Sequence, residues 1–159
     1  MKEQFSILIA DHQGLIFKVC NMYCNSKEDK EDLFQDIVLQ LWRAYPSFKG
    51  DAKVSTWMYR IAINNAITRL RKETKREKHI SLDDEAFQVA TEDNQINENA
   101  AAMYEAIKKL SEVEKALTIL YMDNCSYKEI AEITGLSESN VGFKLNKIKT
   151  KLRSLVTIG

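Results

Sequence analysis

Several side chains suited to nucleic-acid contact recur along one predicted helix near the middle of the chain. Arg60, Asn64 and Thr68 follow one another at steps of four, and Arg71 and Lys72 continue the series, which places all five on one helical face. Cationic side chains bind backbone phosphates, and asparagine amides can pair with base edges. The pattern therefore indicates nucleic-acid recognition, although an amphipathic helix with a solvated charged face is the alternative.

The segment before this helix contains residues that could hold an unstacked base. Residues 47–55 include Gly50 and short polar side chains and predict a loop, and Trp57 falls on the polar stripe rather than on the core side. A tryptophan there either packs against a neighbouring helix or meets a base, because unpaired bases are bound in pockets and by stacking. The sequence leaves both alternatives open.

A second candidate element for nucleic-acid binding lies near the C-terminus, in SYKEIAEITGLSESNVGFKLNKIKTKL (126–152). Ser126 with Glu129 predicts the start of one helix, Ser137 predicts the start of the next, and Gly135 predicts the turn between them. These proportions are typical of a helix-turn-helix, whose second helix enters the major groove of duplex DNA. An ordinary helical hairpin with a solvated basic face is the alternative.

The last of these helices has a predicted buried side and a predicted outward side. Apolar residues at steps of three and four mark the buried side, and flanking lysines would reach phosphates. The buried residues would be Val141, Leu145, Ile148, Leu152 and Leu155. The outward residues would be Glu138, Ser139, Gly142, Phe143, Asn146, Lys147, Thr150 and Arg153, with Lys144, Lys149 and Lys151 directed to phosphates.

The rest of the chain also predicts helices. Apolar residues recur with helical spacing, the chain has one proline, and no alternating run suggests a strand. Residues 5–24 predict one helix, or two helices that break at Gly14. Ser26 and Ser111 are typical N-caps of two further helices, and Pro46 ends the first of these.

Charge is divided unevenly along a chain whose net charge is zero. Residues 80–100 hold six acidic side chains and no basic one, whereas the segments on either side carry more basic than acidic residues. This composition predicts a flexible acidic linker at 80–99. The expected fold class is all-α, with small helical domains at 1–79 and 100–159 and the helix-turn-helix in the second. A neutral chain binds nucleic acid weakly by charge alone, so a partner is expected to help.

Other classes of function are disfavoured. Cys20, Cys24 and Cys125 lack metal-ligand spacing, so we interpret them as small buried hydrophobes in a reducing compartment, with a metal or redox site as the alternative. No P-loop, dinucleotide, zinc-protease or Ser-His-Asp pattern occurs, and neither an enzyme nor a bound cofactor or metal is expected. No signal peptide or apolar run of membrane-spanning length is evident, which predicts a cytoplasmic protein that is not itself a membrane protein.

Three segments together resemble the extracytoplasmic-function sigma factors, a group of small bacterial transcription initiation factors. They are DLFQDIVLQLWRAYPSF (32–48), FKGDAKVSTWMYRIAINNAITRLRK (48–72) and the C-terminal segment 126–152, in the family's order. The resemblance covers nearly the whole chain and implies a polymerase specificity subunit with no chemistry of its own. Its implied partners are RNA polymerase core, promoter DNA and an anti-sigma factor, which in this family is often membrane-bound.

The resemblance also implies roles for individual residues. The helix that begins near residue 27 would dock on the clamp helices of the polymerase β′ subunit through Asp32, Gln35, Asp36 and Trp42. The loop at 50–56 and the following helix would read and melt the minus-ten promoter element, with Asn64 beside the flipped base. The minus-ten residues would be Lys53, Ser55, Thr56, Trp57, Arg60, Asn64, Asn65, Thr68, Arg71 and Lys72. The minus-thirty-five residues would be Ser139, Gly142, Phe143, Lys144, Asn146, Lys147 and Lys151. The acidic linker would lead toward the polymerase active-site channel.

Two features depart from the family's pattern. Lys144, Lys147 and Lys149 stand where arginine is common, and lysine keeps the charge but loses bidentate recognition of guanine. Phe143 stands where a small polar residue is common, and its ring could contact a thymine methyl group. We therefore expect recognition of the minus-thirty-five element to depend mainly on phosphates and to tolerate A·T pairs.

A stand-alone regulator with a C-terminal helix-turn-helix is the competing interpretation. Its N-terminal domain would serve as a sensor or a dimerisation unit. Such a protein would have no need of the 32–42 helix followed by the 57–71 pattern.

Overall fold

The computed structural model describes residues 2–50, 53–80 and 98–158. Every regular element in these ranges is helical, which confirms the expected all-α class. Most of the expected linker, and the side chain of Leu155, lie outside the described residues. The elements are α1 (Lys2–Tyr23), α2 (Lys27–Ala44), a 3-10 turn (Tyr45–Ser47), α3 (Val54–Ile80), α4 (Glu98–Lys108), α5 (Glu112–Met122), α6 (Tyr127–Thr134) and α7 (Glu138–Ile158).

The first domain consists of α1, α2 and α3, each of which packs on the other two. Helix α1 runs unbroken through Gly14, so the two-helix alternative is wrong. A glycine in a helix costs about 1 kcal/mol relative to alanine, and burial of the residues that follow Gly14 offsets this cost. The main buried side chains are Ile16, Val19, Leu33, Ile37, Leu41, Met58 and Tyr59.

Local capping signals position the helices of this domain. The Ser26 hydroxyl accepts a hydrogen bond from the Asp29 amide at 3.1 Å, as expected for an N-cap. Helix α2 ends at Ala44, and Pro46 lies in the 3-10 turn that follows. Helix α3 begins at Val54, so the connecting loop is shorter than the 47–55 expected.

The second domain consists of α4 to α7. Ser111 and Ser126 each form the full capping box with the glutamate three residues later, as the sequence predicts. The spacing of apolar residues along α4 and α5 predicts that Met103, Val113 and Tyr121 face inward, but all three are exposed. Tyr121 lies beside α7 instead, where the Lys149 ammonium is 4.4 Å from the ring centroid. Helix α5 instead buries Ala116, Leu117, Ile119 and Leu120, which form its inner face.

Helices α6 and α7 form the expected helix-turn-helix. Gly135 ends α6 with a left-handed backbone at φ 81°. The Ser137 hydroxyl accepts a hydrogen bond from the Asn140 amide at 3.1 Å, which caps α7. Val141, Leu145 and Ile148 are buried, so the predicted inner side of α7 is confirmed for these residues.

Two glycines are expected to respond to alanine substitution with opposite signs. Gly135→Ala should destabilise the chain by about 1–2 kcal/mol, because a Cβ atom disfavours the left-handed backbone. Gly14→Ala should stabilise it by about 0.4–1 kcal/mol, because a Cβ there meets no atom within 4 Å and the residue lies inside a helix. Urea unfolding followed by circular dichroism measures both. Shifts of the same sign would contradict these conformational assignments.

Candidate nucleic-acid interfaces

The polar stripe of α3 is an exposed face of the first domain. Arg60, Asn64, Thr68, Arg71 and Lys72 are all solvent-exposed. Helix α3 therefore presents, on one face, the two kinds of group that bind nucleic acid, which are cations and an amide.

Apart from Lys53, the other residues expected at the minus-ten element are less accessible. Lys53 is exposed, Ser55 is half-buried, and Thr56 is buried at 3% relative exposure. Asn65 is half-buried, and its Nδ2 atom is buried without a hydrogen-bond partner. A buried amide nitrogen without a partner is unfavourable, so Asn65 has an unused donor next to the exposed stripe.

Trp57 packs against aromatic side chains at the loop end of the domain. Its ring stacks on Phe48 with a centroid distance of 4.7 Å and lies 6.5 Å from Tyr45. The same cluster continues through Phe5, 5.3 Å from Tyr45, to Trp42. Of the two alternatives for Trp57, packing against neighbouring side chains or contact with a base, the structure shows the packing. Sequence reasoning did not pair Trp57 with Phe48, although Phe48 opens the same loop.

The residues expected to dock on polymerase fall into two groups on α2. Asp32 and Asp36 point to Arg69 of α3, with N–O distances of 3.6 and 3.4 Å. Gln35 and Trp42 instead line a groove of about 430 Å³ between α1 and α2. The docking set is therefore part charged and part apolar.

Arg69 is the centre of an ionic cluster that sequence reasoning missed. Its guanidinium lies within 4 Å of the carboxylates of Asp29, Asp32, Asp36 and Glu73. Burial lowers the pKa of Arg69, but the hydrogen bond and charge of Glu73, with the charge of Asp36, outweigh burial and raise it. The only sequence signal was the Arg69–Glu73 spacing of four residues.

The outward face of α7 carries a ring and several polar groups. Phe143 is 59% exposed, and the Lys147 ammonium lies 4.8 Å from its ring centroid. Ser139, Asn146, Lys147 and Lys151 are exposed, whereas Lys144 is half-buried. These residues can reach a duplex without moving the buried side of the helix.

Two of the expected minus-thirty-five residues also have structural roles. A Cβ atom on Gly142 would lie 3.2 Å from Cε2 of Tyr127, so the glycine lets α6 approach α7 closely. The Lys151 ammonium forms an ion pair of 3.2 Å with Glu114, which also belongs to the Ser111 capping box. Burial raises the pKa of Glu114, but its bonds to Ser111 and Lys151 outweigh burial and lower it.

The two domains contact each other through α1 with α5 and through α3 with α6. Three residues of the expected minus-ten surface take part. Arg60 donates a hydrogen bond to the Glu132 carbonyl at 2.8 Å, Lys53 pairs with Glu129 at 3.4 Å, and Arg71 pairs with Glu112 at 2.9 Å. Sequence reasoning treated the domains separately and did not anticipate these contacts.

The cysteines have the environment of unreactive thiols. Cys20 is buried, and burial followed by the nearby Cys24 raises its pKa to about 12. Burial, followed by Glu129 and Asp123, raises the pKa of Cys125 to about 11. Among the described residues, no group of three or more His, Cys, Asp or Glu side chains could hold a metal ion.

Native thiols are expected to label slowly. A pKa of about 12 against an ordinary 9.0 leaves Cys20 with roughly a thousand-fold less thiolate near pH 8, and thiolate is the reactive form. Reaction with Ellman's reagent should be at least about tenfold slower in the native chain than in urea. Rapid native labelling of Cys20, located by mass spectrometry, would contradict the buried-hydrophobe interpretation.

None of the helices described here is both long and apolar enough to cross a membrane.

Comparison with known proteins identifies both domains. The model of Sigma-70 region 2 matches residues 8–76, and that of Sigma-70, region 4 matches residues 100–152. The ECF RNA polymerase sigma factor SigM of Mycobacterium tuberculosis is 28% identical, over 96% of this chain and 76% of its own. The ECF RNA polymerase sigma-E factor of Escherichia coli K12 is 27% identical, over 98% and 90%.

Solved structures share the fold. The sigma factor RpoE of Bartonella quintana, in complex with the anti-sigma factor NepR, has a TM-score of 0.72 at 18% identity and covers 99% of this chain and 96% of its own. CnrH in complex with the cytosolic domain of CnrY has a TM-score of 0.72 at 20% identity, with coverage of 99% and 90%.

The chain therefore belongs to the sigma-70 family, in its extracytoplasmic-function group. It is a transcription initiation factor that acts at promoters, and it is not an enzyme.

Proposed function

We propose that the chain binds RNA polymerase core and directs it to specific promoters through a division of labour between its two domains. The domain at 1–79 docks on core and reads and melts the minus-ten element. The domain at 100–159 holds the minus-thirty-five element as duplex, and the linker at 80–99 leads toward the active-site channel. The observation that carries this proposal is the presence, in one chain, of an exposed cation-and-amide face on α3 and an exposed helix-turn-helix face on α7.

The minus-ten role rests on the exposed face of α3. Arg60, Arg71 and Lys72 supply cations for backbone phosphates, and Asn64 supplies an exposed amide between them. Melting needs only binding energy that favours the separated strands over the duplex.

The docking role rests on the two groups of residues on α2. Asp32 and Asp36 offer carboxylates to cations of the β′ clamp helices, and they remain more than half exposed beside Arg69. Gln35 and the 41%-exposed Trp42 offer a polar and an aromatic contact in the adjoining groove. A charged pair next to an aromatic anchor is typical of a specific protein interface.

The minus-thirty-five role rests on α7. The exposed side chains of α7 support this role: Phe143 would contact a thymine methyl group, Asn146 would pair with an adenine edge, and Lys147 and Lys151 would bind phosphates. Lysine in place of arginine favours recognition that depends mainly on phosphates and tolerates A·T pairs.

The third expected partner is an anti-sigma factor. One of the solved structures named above is a sigma factor in complex with the anti-sigma factor NepR, and the other is CnrH in complex with the cytosolic domain of CnrY. By extension, this chain is held inactive in the cytoplasm by an anti-sigma factor, which in this family is often membrane-bound.

Footprinting with and without polymerase tests the proposal against the stand-alone regulator. With purified core and a promoter fragment we expect protection of both elements and permanganate-reactive thymines at minus ten. Asn64→Ala should abolish the reactive thymines, whereas Asn146→Ala should weaken upstream protection. Protection of the duplex by the chain without core would favour the regulator instead.

A further inference from the structure

The second domain covers part of the surface that the proposed function assigns to minus-ten DNA. We propose that the free chain occludes this surface itself: α5 and α6 occupy Lys53, Arg60 and Arg71, cations that promoter phosphates need, and Asp123 holds the two domains in this closed arrangement. The inference rests on the proposed function only for the identity of the covered surface.

The groups of the second domain that contact these cations accept hydrogen bonds as phosphate oxygens do, and two of the three are negatively charged. Lys53 and Arg71 pair with the carboxylates of Glu129 and Glu112, and Arg60 donates to a backbone carbonyl of α6. Carboxylate and phosphate oxygens both accept hydrogen bonds from arginine and lysine. A donor bound to the second domain is not available to DNA, so closure and minus-ten binding exclude each other at these positions.

These ion pairs are too exposed to hold the arrangement by themselves. The side chains of Lys53 and Arg71 are 74% and 65% exposed, and exposed ion pairs contribute little. They explain which surface is covered, and a better-shielded contact must explain why the domains stay together.

Asp123 supplies that contact through the buried Tyr59, because its ion pair with Lys18, whose side chain is 56% exposed, is not well shielded either. One of its carboxylate oxygens accepts a hydrogen bond from the Tyr59 hydroxyl at 2.7 Å, and the other pairs with Lys18 at 2.9 Å. Tyr59 is 1% exposed and belongs to the core of the first domain. One carboxylate at the end of α5 therefore bonds to both α1 and α3, and a hydrogen bond to a charged group is stronger than one between neutral groups.

A second buried bond supports the same arrangement. The Tyr23 hydroxyl donates to the Glu112 carbonyl at 2.6 Å, and Tyr23 is also a core residue of the first domain. Separation of the domains would leave both tyrosine hydroxyls to find new partners. Minus-ten DNA would have to open the chain before binding, which lowers its apparent affinity by the fraction of open molecules.

A charge swap between Lys18 and Asp123 tests the cross-domain contact in the full chain, without polymerase. Lys18→Asp and Asp123→Lys each replace the cross-domain attraction with repulsion, and the double variant restores it. Small-angle scattering measures the radius of gyration, and fluorescence anisotropy measures affinity for a fluorescein-labelled single-stranded oligonucleotide of mixed sequence. Asp11→Lys, on an exposed α1 position, controls for the change in net charge of Asp123→Lys.

The wild type should have a radius near that of one compact body, about 15 Å for this length. Lys18→Asp and Asp123→Lys should expand it and bind the oligonucleotide roughly tenfold more tightly, even though the first lowers the net charge. The double variant should be more compact than either single variant but less compact than the wild type, because Asp123→Lys also removes the acceptor of the Tyr59 hydroxyl. Tyr59→Phe, a conservative change, should expand the chain partially.

An expanded wild type, or affinities that follow net charge alone, would overturn the proposal. A double variant no more compact than Asp123→Lys alone would also overturn it. Because no measurement here uses polymerase, failure of the closed arrangement leaves the proposed promoter function standing, and failure of that function leaves the scattering result unchanged.

Discussion

Replacement of Asp36 by arginine is expected to lower the affinity for RNA polymerase core roughly a hundredfold, whereas the same replacement at Asp29 should change it only a few-fold. Loss of one partner in a buried interfacial charge pair commonly costs about 2–5 kcal/mol. The two residues make a matched pair: both are about half exposed, and both contact Arg69, at 3.4 and 3.9 Å. Any loss through the Arg69 cluster is therefore shared, and the difference reports docking.

The measurement is a titration of fluorescently labelled chain with purified core, with urea unfolding of each variant alongside. Similar stabilities and very different affinities would support the docking role. Equal loss of affinity for both variants would instead assign Asp36 to the structural cluster around Arg69.

Two residues of α7 are expected to separate folding from DNA recognition. Leu145→Ala should destabilise the second domain by about 2–5 kcal/mol, because Leu145 is 2% exposed and its removal leaves a cavity. Phe143→Ala, two residues away and 59% exposed, should change stability by no more than about 0.5 kcal/mol. It should nevertheless weaken binding of the holoenzyme to the minus-thirty-five element about tenfold. This is near the lower end of the free energy that one base contact contributes.

Circular dichroism during urea unfolding gives the stability, and gel-shift titration with holoenzyme gives the affinity. The informative comparison uses promoter fragments with and without thymine methyl groups, by substitution of uracil. If Phe143→Ala binds both fragments as the wild type does, the proposed contact with a thymine methyl is wrong.

Helix ends and faces were predictable because short-range bonds and periodicity determine them. The Ser111 and Ser126 capping boxes join groups three residues apart, and both form as expected. Gly135 adopts the left-handed backbone that its place between two helices predicts. The exposed stripe from Arg60 to Lys72 likewise follows from the helical repeat alone.

Long-range partnerships were not predictable from the pattern. Arg69 lies outside the predicted polar stripe, yet it pairs with carboxylates of residues about 33 to 40 positions earlier in the chain. Tyr59 lies on the apolar side of α3 that helical periodicity predicts, but its bond to Asp123 joins residues 64 positions apart. Periodicity gives the direction of a side chain and contains no information about which distant helix it meets.

Run-off transcription with purified core polymerase tests the central claim most directly. The template set would be genomic promoter fragments from the source organism. We predict that the chain and core together produce discrete transcripts from a subset of fragments, that core alone produces none of them, and that Asn64→Ala abolishes them while Asp29→Asn does not. The absence of chain-dependent transcripts, together with failure of the chain to associate with core, would contradict the account.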